Sequence, residues 1–95
     1  MSVPPADTAL IRSFGLTVRQ QREARNWSQE RLAEAANLNR SYIGELERGE
    51  AVASLQTLNK LSLALGVSVS QLLHEAELLD RCNRPPALNL TSIAC

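Results

Sequence analysis

Aromatic side chains are almost absent from this sequence: Phe14, Trp27 and Tyr42 are the only ones in 95 residues. Leu, Ala, Ile and Val must therefore build the core, which favours packed helices over a sheet-rich fold. Histidine is nearly missing as well. His74 alone supplies too few partners for a catalytic triad, a two-histidine metal site or a histidine acid/base pair. The four glycines, Gly15, Gly44, Gly49 and Gly66, stand apart from one another, so there is no glycine-rich phosphate loop. The chain is accordingly expected not to be an enzyme and to need no cofactor, metal or small-molecule ligand. Cys82 and Cys95 have no metal-ligand spacing and are expected to be free thiols of a cytoplasmic protein. No apolar run approaches the roughly 18–20 residues that span a bilayer. Met1 to Asp7 shows no basic segment leading into an apolar one, so neither a membrane span nor a signal peptide is expected.

Excess charge is also lacking. Ten Lys and Arg face ten Asp and Glu, a formal net charge of zero. Nucleic-acid binders usually carry surplus positive charge, so neutrality at first argues against one. The distribution qualifies that objection. Residues 12–48 hold seven arginines against five glutamates, while residues 49–95 hold three basic groups against four acidic ones, with Glu75, Glu77 and Asp80 close together.

What is present is helical periodicity. Residues 1–6, with Pro4 and Pro5, read as a short mobile lead-in, and residues 7–80 as one domain of five helices. The first, from Asp7 or Thr8 to Ala24 or Arg25, places Leu10, Ile11, Phe14 and Val18 on one stripe. Asn26 tolerates the left-handed conformation that stops a helix. Ser28 caps a second, short helix with Leu32, Ala33 and Ala36 inward, and Asn37 ends it. Asn39 caps a third helix that buries Ile43 and Leu46, closed by Gly49. Ser54 opens a fourth whose Leu55, Leu58, Leu61 and Leu65 form the buried stripe, closed by Gly66. Ser68 and Gln71 make a capping-box signature for a fifth, with Val69, Leu72, Leu73, Ala76 and Leu79 on its apolar side. Residues 81–95 contain Arg84-Pro85-Pro86 and read as a tail.

Helices two and three carry the information. Two short helices joined by about three residues cross steeply, and the first needs a small residue at the crossing, which Ala33 provides. The turn needs a residue that accepts positive φ, Asn37, and an apolar plug, Leu38. The second helix then turns Arg40, Ser41, Gly44 and Glu45 outward. That is helix-turn-helix geometry, in which the second helix enters the DNA major groove.

At this point the sequence resembles the phage-repressor and Cro-like helix-turn-helix proteins, the XRE family, over roughly residues 14–74. The resemblance rests on VRQQREARNWS (residues 18–28), SQERLAEAANLNRSYIGELERG (28–49) and SLQTLNKLSLALGVSVSQLL (54–73), in order and at family spacing. The segment NLNRSYIGELERG also resembles the controller proteins of restriction–modification systems. The implied fold is all-α, a compact five-helix lambda-repressor-like domain. Two departures stand out: asparagine replaces the usual turn glycines at 26 and 37, and Gln21 replaces a usual leucine, which implies a thinner core there.

Joined to side-chain chemistry, the resemblance implies base contacts from Arg40, Ser41, Gly44 and Glu45, with arginine suited to guanine, glutamate to cytosine and glycine to close approach. It implies phosphate contacts from Gln29, Asn39, Tyr42, Arg48 and Thr57. Arg22 and Glu47 match positions that form an internal ion pair in the family. Trp27 is read as core, Glu23, Arg31 and Glu34 as a solvated face, and Arg25 stays open.

One recognition helix reads about four base pairs, too few for selectivity, so a homodimer on a palindromic operator is expected. Apolar groups beyond one buried stripe nominate Leu63, Leu72, Ala76 and Leu79 as its interface. A tail folding back through Leu88, Leu90 and Ile93 is the alternative cover. The expected function is a sequence-specific regulator of transcription, a repressor or autoregulator bound to double-stranded DNA in the cytoplasm. An antitoxin-type protein and a protein-interaction module using the same helices are the competing readings.

Overall fold

The structure, a computed structural model, describes residues 5–83. Five α-helices follow in chain order: α1 Pro5–Ala24, α2 Gln29–Ala36, α3 Arg40–Glu47, α4 Leu55–Leu65 and α5 Val69–Asn83. There is no strand among the described residues. Local chemistry explains most helix ends. Four N-cap oxygens accept first-turn amides: Ser28 Oγ from Arg31 (3.0 Å), Asn39 Oδ1 from Ser41 (2.7 Å), Ser54 Oγ from Thr57 (3.1 Å) and Ser68 Oγ from Gln71 (3.0 Å). Asn26 and Asn37 take positive φ (58° and 55°), standing where a glycine would cost nothing. The capping box at Ser68 is only half closed, because the Gln71 side chain bonds Glu75 instead.

Twelve side chains form one core: Phe14 and Val18 from α1, Leu32, Ala33 and Ala36 from α2, Ile43 and Leu46 from α3, Leu58, Leu61 and Leu65 from α4, and Leu72 and Ala76 from α5. Trp27, Leu38 and Tyr42 pack against its edge. The long α1 lies chiefly on α5 and then on α3, while α2 bridges α3 and α4. At the α1–α3 crossing the backbones nearly touch. A methyl group on Gly15 would sit 2.1 Å from the Leu46 carbonyl oxygen and 2.9 Å from that of Glu47. Only glycine fits there, and this contact sets how deeply α3 seats on α1.

Several expectations are corrected. Helix α1 begins at Pro5, where a missing N–H costs nothing in a first turn, and α5 continues to Asn83. Leu55 is 81% exposed: as the first residue of α4 it points away from the stripe, and Thr57 takes the buried place. Leu73 is also exposed. Gln21 is half-buried outside the apolar core, and its amide donates to Glu75 Oε1 of α5 at 2.9 Å. Cys82 is disulfide-bonded rather than free. The tail residues Leu88, Leu90, Ile93 and Cys95 lie outside the described residues.

Candidate nucleic-acid interface

The outward arc of α3 carries Arg40, Ser41, Gly44, Glu45 and, at its C-cap, Arg48. At 100° per residue these five positions fall within one side of the helix, opposite Ile43 and Leu46. Arg40, Ser41 and Glu45 are exposed. The first amides of α2 and α4 have no acceptor inside their own helices, so each start offers donors suited to a phosphate.

A polar clamp orients this surface. Arg22 of α1 donates from Nε to Glu47 Oε2 (2.8 Å) and from Nη2 to Oε1 (3.1 Å), a two-pronged pair. Its Nη1 donates to the Trp27 carbonyl at 2.7 Å, holding the loop before α2. The Gln29 amide, at the start of α2, donates to Glu47 Oε1 at 3.0 Å. One carboxylate thus ties α1, α2 and α3 together. The Glu47 hydrogen bond raises the Arg22 guanidinium above its ordinary pKa against the opposing cost of burial, with the charges of Glu47 and Glu23 adding to the rise. The side chains of Arg22 and Glu47 are only 12% and 3% exposed, so this pair is shielded from salt.

The residues nominated for phosphate fare unequally. Gln29 keeps its backbone N–H and one amide hydrogen beside the middle of α3. Asn39 uses Oδ1 as the cap, which leaves its amide nitrogen. Tyr42 commits its hydroxyl proton to the Val52 carbonyl at 3.0 Å, so it ties the α3–α4 loop to α3 and no longer has that proton for a phosphate. Thr57 is 7% exposed, its hydroxyl held between Ser54 Oγ (3.1 Å) and Tyr42 Oη (3.4 Å). Gly44 is not an open slot. It is buried beneath the Arg48 guanidinium and the Gln29 side chain.

Arg25, left open by the sequence, is scaffold: it donates to the carbonyl and side-chain oxygens of Gln21 and to the Leu65 carbonyl at the end of α4. Trp27 packs at the core edge with Arg31 stacked 5.5 Å from its ring centre. Of the nominated dimer residues, Leu72 and Ala76 have no exposure in the single chain, because α5 spends them against the core. They are removed from the interface. Leu63 is 75% exposed and Leu79 half-buried.

A capped helix packed beside the start of a second short helix is helix-turn-helix geometry, and the chain belongs to the helix-turn-helix family of DNA-binding regulators, in its XRE branch. The family profile, described as helix-turn-helix, matches residues 18–72. Among curated relatives, control protein C.BamHI of Bacillus amyloliquefaciens is 48% identical over 61 residues, covering 63% of this chain and 75% of that protein. Control protein C.SmaI of Serratia marcescens is 50% identical over 56 residues, 59% of this chain and 67% of that protein. Among solved structures, the restriction-modification controller protein C.AhdI from Aeromonas hydrophila superposes with a TM-score of 0.63 at 41% identity, covering 66% of this chain and 94% of that one.

Proposed function

We propose that the protein binds a palindromic operator as a homodimer, acts there as a repressor or autoregulator, and serves as the controller of a restriction–modification system. The observation that carries the reading is the outward pair Arg40 and Ser41 in the first turn of a capped α3, beside the amide-bearing start of α2. In this reading α3 lies in the major groove. Arg40, Ser41 and Glu45 read base edges, and Gln29, Asn39, Arg48 and the α4 start grip the backbone. The controller role is supported by the relatives, two of which are named control proteins and one a restriction-modification controller. Dimerisation uses Leu63, with Leu79 at its margin. Action on an operator places the protein in the cytoplasm and requires no catalysis.

The test is a gel shift on the DNA upstream of its own coding sequence, with wild type and Arg40→Ala. The reading expects a saturable complex on a palindrome and a loss of roughly 30-fold or more in Arg40→Ala, since about 1–3 kcal/mol goes with the bidentate base contact of each of the two half-sites. Wild-type protein that binds no DNA would instead favour the reading as a protein-interaction module.

A further inference from the structure

The middle of the DNA-facing arc of α3 is a glycine with an arginine laid over it. A Cβ on Gly44 would lie 3.1 Å from Arg48 Nη1 and 3.9 Å from its Cζ, with Gln29 Oε1 at 3.8 Å. Helical side chains lean toward the N-terminus, so the Arg48 side chain runs back from the end of α3 over the preceding turn. Its guanidinium therefore lies at the seam between α3 and the start of α2, not out over the loop. Arg48 Nε also donates to Glu50 Oε1 at 3.1 Å, an exposed pair with both side chains more than half accessible. Such a pair is weak and salt-screened, so it releases the guanidinium readily to a stronger anion such as a phosphate.

We propose that Gly44 is a positioning residue for DNA binding: by having no side chain it seats the Arg48 guanidinium across the centre of the α3 surface, where Glu50 holds it until it meets the DNA backbone. This rests on the DNA-binding reading above but assigns Gly44 a different role from direct base approach. The atoms a new Cβ would meet are the ends of flexible side chains, not backbone. Gly44→Ala therefore costs the fold little. Alanine also favours a helix interior over glycine, so stability should rise while binding falls.

The experiment is a double-mutant cycle on operator DNA with Gly44→Ala, Arg48→Ala and both, using Arg40→Ala as the control for the docking mode and thermal denaturation as the second readout. The proposal expects Gly44→Ala to melt at or above the wild-type temperature. It expects each single variant to bind roughly a hundredfold more weakly, about tenfold for the one charged hydrogen bond lost in each half of the dimer. In the Arg48→Ala background, Gly44→Ala should have no further effect. Three results would overturn it: wild-type affinity in Arg48→Ala, wild-type affinity in Gly44→Ala, or an equal loss from Gly44→Ala with and without Arg48, which would mean direct contact between Gly44 and DNA. If wild type binds and Arg40→Ala binds more weakly, any of these defeats only the seating of Arg48. If wild type fails to bind, the DNA-binding reading itself falls.

Discussion

Gly15 and Glu47 show how single residues hold the recognition helix in place. Gly15→Ala forces a carbon into the Leu46 carbonyl oxygen, which is backbone and cannot move aside alone. Denaturant unfolding should register a loss of about 2–3 kcal/mol, the upper part of the range for overpacking, because α3 must lift from α1. Glu47→Ala leaves Arg22 buried without its carboxylate, and about 3–5 kcal/mol of lost stability is expected in the same assay. The pH dependence has a definite sign. The folded-state pKa of Arg22 lies above its unfolded value, so its contribution is fully present below the unfolded value and is lost only as pH rises through the folded one. The stability gap between wild type and Arg22→Met should therefore stay constant from neutral pH to about pH 10. The sequence makes Arg22 and Glu47 readable only through family resemblance, since nothing local links residues 25 positions apart. Gly15 was unreadable for the same reason: its constraint comes from whichever helix crosses it.

At the scale of elements, starts and stops are the most legible features. A serine or asparagine cap acts on amides two or three residues ahead, and a left-handed asparagine acts on its own backbone, so both are visible in a window of a few residues. Asn37, at φ 55°, gives a direct check. Asn37→Gly should leave thermal stability unchanged or raise it, whereas Asn37→Val should lower it by roughly 1–2 kcal/mol, the cost of a left-handed conformation for a residue with a Cβ. Helix faces are less legible. Periodicity placed Leu55 with Leu58, Leu61 and Leu65, yet the first residue of a helix lies past the edge of its neighbours and stays in water. The apolar residues of α5 gave no sign of which neighbour covers them. In the structure Leu72 and Ala76 are buried in the core, on a helix packed chiefly against α1, while Leu73 and Leu78 stay partly exposed. The bonds that occupy the Tyr42 hydroxyl in the free chain, to the Val52 carbonyl and to Thr57, are hidden in the same way, because those partners sit 10 and 15 residues along the chain.

For the whole molecule, net zero charge becomes a statement about selectivity rather than an objection to DNA. With Arg22 neutralised by Glu47, Arg25 spent on carbonyls and Arg19 paired with Glu23, few cations remain to grip DNA at random. Non-specific affinity should be weak, and operator binding should depend on amides, a few arginines and two-fold symmetry. The leucine at 63 stands 75% exposed on α4, on the far side of that helix from the core. Leu63→Glu should shift sedimentation toward the monomer and weaken operator binding without lowering the melting temperature of the isolated fold. A dimer unchanged by that substitution would move the interface elsewhere. The central claim, that α3 reads bases with Arg40 in the major groove of a two-fold site, is tested most directly by selecting bound sequences from random double-stranded DNA with wild type and Arg40→Ala. The account predicts a palindromic motif for wild type and, for the variant, loss of preference at one symmetric pair of positions with the rest retained. An identical motif from both proteins, or enrichment without two-fold symmetry, would contradict it.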